Sequence, residues 1–196
     1  MKKFIIIIIV IAVLGFLGYS YVKGLNNTMV TMSEGVDAQW SQVENVYQRR
    51  ADLIPNLVNT VKGYASHEKE TLEGVIEARA KATSVNVNAG GLNAQSLQAF
   101  QQAQQGLSSA LSKLMVVVER YPELKANQNF LELQAQLEGT ENRITVERQK
   151  FNETTRKYNT YIKLFPNSMF AGMFGFEPKV YFEAQKGSEV APEVSF

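Results

Sequence analysis

The chain has 196 residues, 45% of them hydrophobic, with 20 Lys+Arg against 19 Asp+Glu and a formal net charge of +1. Its densest basic groups are the pairs Arg49-Arg50 and Arg156-Lys157, so neither global nor local charge makes a case for binding nucleic acid. With no cysteine, disulfides and a cysteine-acylated lipid anchor are excluded, though the redox compartment stays open.

The first element is an uncharged, mostly apolar run from Phe4 to Val22 that contains the block Ile5 to Ile11. As a helix it spans roughly 28 Å, close to the hydrocarbon thickness of a bilayer. Lys2 and Lys3 flank one end; Tyr19, Tyr21 and Lys23 mark the other, where aromatic rings suit an interface. The run predicts a single transmembrane anchor over residues 1–25, in contact with lipid through residues 4–22. A cleaved signal peptide is the rival reading. Against it, the run exceeds an h-region of about 7–15 residues, and Gly18-Tyr19-Ser20 is a poor cleavage site. The one-lysine excess before the run places the N-terminus in the cytoplasm and the rest of the chain outside.

The remaining sequence reads as all-α. Apolar residues recur at three and four, not two. A first soluble helix continues from the anchor, with the stripe Met29, Met32, Val36, Trp40, Val43, Tyr47, Ile54, Leu57 and Val61. Pro55 lacks the N–H that would bond the carbonyl of Ala51, and is expected to kink this helix. A second helix over His67 to Ser84 carries Leu72, Val75, Ile76 and Ala80, with Ser66 as a possible cap. Alternatively, these two helices form one kinked rod. Asn86 to Gly91 is a loop. A third helix, capped by Asn93 and stopped by Pro122, shows a heptad seam: Leu97, Phe100, Gln104, Leu107, Leu111, Leu114, Val118 and Tyr121. A fourth, from about Asn127 to Phe165, repeats Phe130, Leu137, Ile144, Phe151, Tyr158 and Phe165 every seven residues. The intervening seam positions, Leu133, Thr140, Glu147, Thr154 and Tyr161, are mixed. These elements predict an elongated antiparallel three- or four-helix bundle with coiled-coil-like packing over residues 26–165.

Residues 166–196 form an aromatic-rich tail without helical period. Its first half is expected to dock and its last ten residues to be mobile. Met169, Phe170, Met173, Phe174 and Phe176 crowd large apolar groups together, and the glycines among them disfavour a helix. In a four-helix up-down bundle this patch returns to the bilayer, or meets a neighbouring copy there. If the first two helices are one rod, it sits at the far end. Phe170, Phe174 and Phe176 are the predicted contacts of a homo-oligomer, unless the patch is the lid of its own core.

Groupings for catalysis are missing. His67 is the single histidine, and at a helix start it reads as a surface or capping residue. Gly90-Gly91 and Gly172-x-x-Gly175 lack the strand–turn–helix context of a phosphate loop. No nucleophile–base pairing stands out. The sequence therefore predicts no catalytic residue, cofactor site or metal site.

Three stretches resemble the LemA family of bacterial membrane proteins. They are Arg49 to Val58 with Val61 to Ala65 and His67-Glu68; Leu137 to Ile144; and Arg148, Phe151-Asn152, Tyr158-Asn159 and Phe165-Pro166. Phe151 stands where the family more often has tyrosine. The resemblance runs from the anchor to about Phe182. It implies a bundle fold in a bacterial membrane and supplies no activity. Within these motifs Arg50, Asp52, Glu141, Arg143 and Arg148 are read as interhelical bonds that fix register, or else as a polar pocket for a ligand or partner. Asp52 can also bond backbone groups freed by Pro55. Asn142, Asn152 and Asn159 are candidate interhelical hydrogen-bonders; the last two, seven apart, share a face. The expected function is a non-enzymatic, self-associating membrane scaffold, or alternatively an accessory subunit of a membrane protease or transporter.

Overall fold

The computed structural model describes residues 2–85 and 87–183. Helix α1 runs unbroken over Lys2–Tyr64, followed by α2 (Lys69–Ser84), a 3-10 turn (Ala89–Gly91), α3 (Ala94–Val118), α4 (Pro122–Lys125), α5 (Gln128–Lys163) and α6 (Asn167–Phe174). The described residues contain no strand. The fold is all-helical, with the long apolar helix at its start.

At 1.5 Å per residue α1 is about 95 Å long. Its first part, Lys3 to Tyr21, is exposed on every side. An apolar helix with no protein partner around it is what a bilayer covers. Leu25 is the first residue of α1 to be buried. Beyond it the stripe Met29, Val36, Trp40, Val43, Tyr47, Ile54, Leu57 and Val61 is buried, and Met32 is half-buried. Pro55 lies inside the helix without ending it. An interior proline costs about 3 kcal/mol. Ile54, Leu57, Val58 and Val61 are all buried around it, at about 1.5–3 kcal/mol each. Packing outweighs the break.

The chain turns at Ala65 to Glu68, so α1 and α2 are separate members rather than one rod. Ser66 does not cap α2: Glu68 stands at the N-cap position, without a side-chain cap bond. Its carboxylate instead accepts from the Tyr121 hydroxyl at 3.0 Å and pairs with Arg120 at 3.0 Å. Leu72, Val75 and Ala82 bury the inner face of α2, while Ile76 and Ala80 face out. At the start of α3, Asn93 accepts from the backbone N–H of Ser96 at 2.9 Å and Ser96 answers to the N–H of Asn93 at 2.9 Å, a reciprocal capping box. Asn127 caps α5 through the N–H of Phe130 at 3.0 Å.

The bundle members alternate in direction: the soluble part of α1, then α2, α3 and α5. The α3 seam is buried except for half-buried Leu111 and Tyr121. Phe130, Leu137, Ile144, Phe151 and Tyr158 of α5 are buried as their seven-residue repeat requires, but Phe165 is 80% exposed because α5 ends at Lys163.

Two apolar cores result. The distal one joins Ile54, Leu57, Val61, Val75, Leu107, Leu114, Leu124 and Phe130. The anchor-proximal one gathers Met29, Trp40, Tyr47, Phe100, Phe151, Ile162 and Phe182. Trp40 is its centre, with ring centroids at 5.4 Å from Phe100, 5.6 Å from Phe151 and 5.8 Å from Phe182. The Trp40 indole N–H donates to the carbonyl of Val87 at 2.6 Å, which ties down the loop before α3.

The first half of the tail docks, as expected, but its start is helical: Asn167 to Phe174 form α6, with Gly175 at φ +75° closing it in the left-handed conformation. Packing of Ala171 and Phe170 onto the core overrides the glycine content. The expectation of mobile last residues lies outside the described residues.

Candidate functional site

Arg50 sits between the two cores and is only 2% exposed. Helix α1 brings it there because it continues the stripe at Tyr47 plus three. Its Nη1 pairs with the Glu141 carboxylate of α5 and donates to Ser108 Oγ at 3.0 Å; its Nη2 donates to Gln104 Oε1 at 2.7 Å. The guanidinium lies 5.2 Å from the centroid of the Tyr47 ring. Gln104 Nε2 then reaches the carbonyl of Ala82 at 3.2 Å, extending the layer to the end of α2. One buried cation thus touches α3 and α5 directly, and α2 through Gln104. Burial pushes the Tyr47 phenol above its ordinary range, with the charges around it as smaller influences.

A second polar contact explains the tolerance of Pro55. The carbonyl of Ala51, which has no N–H partner at Pro55, accepts from Arg79 Nε at 2.8 Å. Asp52 does not serve this role. It is exposed and accepts from Gln48 in its own helix at 2.8 Å. Arg143 and Asn142 also face solvent, so Asp52 and Arg143 are not brought together.

Asn152 and Asn159 share a face, as their spacing requires, but bond the tail rather than another helix. Asn159 Nδ2 donates to the carbonyl of Lys179 at 2.7 Å, and its Oδ1 accepts from the Lys179 N–H at 2.8 Å. Asn152 makes the same pair of bonds with Phe182, at 3.0 and 2.8 Å. The Tyr158 hydroxyl donates to the carbonyl of Glu177 at 3.0 Å. Arg148 lies 4.7 Å from the Phe182 ring centroid and donates to the carbonyl of Glu183 at 3.2 Å. Lys179 pairs with Asp37 of α1. The extended stretch from Glu177 to Glu183 is thereby strapped along α5. Phe176 and Phe170 pack against the anchor-proximal core, and Phe174 stacks on Phe170 at its edge.

An open cleft separates α3 from α5. One part, about 350 Å³, has Tyr47 and Arg50 at its floor, with Gln98, Gln101, Gln105 and Arg148 on its walls. It continues past Ser108 and Glu141 into a part of about 520 Å³ lined by Leu111, Met115, Leu137 and Asn142. Of the sequence-predicted residues, this site unites Arg50, Glu141, Asn142 and Arg148. Asp52, Pro55, Arg143, Asn152 and Asn159 lie elsewhere. Sequence reasoning missed Gln104, Ser108 and Arg79. Gln104 had a signal, as the polar member of an apolar seam; Ser108 and Arg79 had none.

Among the described residues no group of three or more His, Cys, Asp or Glu side chains could hold a metal ion. His67 is exposed in the turn before α2. At the cleft floor Arg50 and Glu141 pair with each other.

Comparison with known proteins places the chain. The model of the LemA family matches residues 39–196. The chain is 26% identical to magnetosome protein MamQ 2 of Paramagnetospirillum magneticum, over 94% of this chain and 74% of that protein. Magnetosome protein MamQ of Magnetospirillum gryphiswaldense is 26% identical, over 86% and 69%. Protein LemA of Metamycoplasma hominis is 22% identical, over 99% and 84%.

Proposed function

The chain belongs to the LemA family, and we propose that it is a membrane-anchored scaffold that binds proteins, first its own copies, and performs no reaction itself. The observation that carries this reading is the polar layer. Arg50, the most buried charge among the described residues, commits both terminal nitrogens to Glu141, Gln104 and Ser108, and so joins helices instead of facing a substrate. The names of the relatives give location or family, and none states a reaction.

In this reading residues 1–25 hold the protein in a bacterial membrane as a single pass, the N-terminus is cytoplasmic, and the bundle of 26–165 with its tail is outside. A chain beginning at Asn26 is then soluble, and a reporter fused after Phe196 works only outside the cytoplasm. The open α3/α5 face is where copies meet. Confinement to a plane raises local concentration, so weak contacts suffice.

Crosslinking in native membranes, with identification of every bound protein, tests the reading. Self-crosslinks alone are expected. A foreign membrane protein at equal stoichiometry would favour an accessory subunit instead.

A further inference from the structure

The anchor-side end of the bundle carries an apolar surface that its core does not use. Helix α6 has no charged residue between Asn167 and Phe174. One side of it, with Phe170 and Ala171, packs inward against α1 and α5. The other side presents Met169 and Met173, each 66% exposed, and the turn before it adds Phe165 and Leu164. Met169 and Met173, four apart within α6, share a face. A surface helix of a soluble bundle turns polar groups outward; α6 is apolar on both sides.

Its place in the fold identifies what covers it. The Arg50–Glu141 and Trp40–Phe151 contacts set α1 and α5 antiparallel, and this register brings Ile162 into one core with Met29. Helix α5 ends at Lys163 and α6 follows within four residues. By that register Leu164 stands within one or two helical turns of Val22, roughly 5–10 Å along the axis, and α6 packs against both helices beside it. The exposed apolar surface of α1 ends at that level.

We propose that the Leu164–Met173 face is a lipid-binding surface, lying in the interfacial zone of the bilayer that holds α1. This rests on the anchor reading above. The contact is made by apolar side chains at the headgroup–acyl boundary, with exposed Lys163 reaching the headgroups. Because α6 is uncharged, the contact does not depend on anionic lipid. It gives the bundle a second foothold beside its anchor and fixes its tilt on the membrane.

The cysteine-free chain allows a direct test. Full-length protein with Met169→Cys or Met173→Cys is labelled with an environment-sensitive fluorophore and reconstituted in phosphatidylcholine vesicles containing shallow nitroxide lipids. Labels at Val116→Cys, on the distal end of α3, and Leu14→Cys, in the anchor, are the water and lipid references. Both α6 labels should be quenched several-fold more than Val116, at every protein-to-lipid ratio. A reporter at Ser168→Cys should lose its quenching when Met169→Glu and Met173→Glu are added, with Trp40 emission unchanged. Quenching at Leu14 but not at α6 would overturn the proposal and leave the anchor standing. Loss at Leu14 as well would overturn both. Shielding that appears only at high protein-to-lipid ratio would assign the patch to a second copy and overturn it too.

Discussion

Arg50 is the charged residue buried in the bundle among the described residues. Two apolar cores meet at its level, and three helices spend polar side chains or carbonyls on its layer. Glu141 is 48% exposed and stays solvated without its partner, so removing Arg50 strands chiefly the buried Gln104 side chain, at about 1–3 kcal/mol. Arg50→Ala should lose that much in denaturant unfolding of a chain beginning at Asn26. Asp52→Ala and Arg143→Ala, at exposed positions, should stay within about 1 kcal/mol. Equal losses at all three would contradict the assignment. A second residue-scale prediction concerns the Ala51 carbonyl. Leaving it unsatisfied costs about 1–3 kcal/mol, so Arg79→Ala should destabilise by about that amount. Pro55→Ala restores an N–H at position 55. In that background the cost of Arg79→Ala should shrink by about 1 kcal/mol or more, read from a double-mutant cycle.

Sequence disclosed this site unevenly. Arg50, Glu141 and Arg148 stood out as charges inside a recognisable motif, but the interhelical partners of Arg50 lie 54 to 91 residues away. Periodicity reports which face of a helix a residue occupies, and not which helix faces it. Asp52 and Arg50 differ by two positions, hence by about half a turn, which puts them on opposite faces of the helix. Only one of them can point into the core, and the stripe through Tyr47 and Ile54 selects Arg50.

At the scale of elements, the heptad repeats were legible because burial is their cause: the α3 seam, half-buried only at Leu111 and Tyr121, and the α5 repeat up to Tyr158 turn inward where their spacing puts them. The tail was not. Its fixation is a backbone affair, in which Asn152 and Asn159 each grip one residue by both its N–H and its carbonyl. Backbone recognition leaves little trace in the side chains being recognised. The expectation that these asparagines bridge helices was reasonable on spacing and missed the strap for that reason. Asn152→Ala and Asn159→Ala together should release Glu177 to Glu183. Hydrogen exchange should show fast amides at Lys179 and Phe182, while the amides of α3 stay protected. Trp40 emission should shift as Phe182 leaves its ring. Unchanged protection at both amides would mean that Phe182 and the Lys179–Asp37 pair hold the strap without the asparagines.

For the whole molecule, α1 is both anchor and bundle member. The helix is continuous from the exposed apolar run to Tyr64, so a rigid rod rather than a flexible linker joins membrane and domain. That rigidity constrains how copies can meet. In the proposed self-association, bundles held at one height would meet side by side through the open α3/α5 face. Self-association of the anchored protein is the core of the proposed function. Light scattering of the full-length protein at micromolar concentration, across a series of mild detergents, tests it most directly. A defined oligomer is expected, and it should weaken when the exposed cleft residues Ser112 and Asn142 are both changed to Arg. A monomer in every detergent would contradict it.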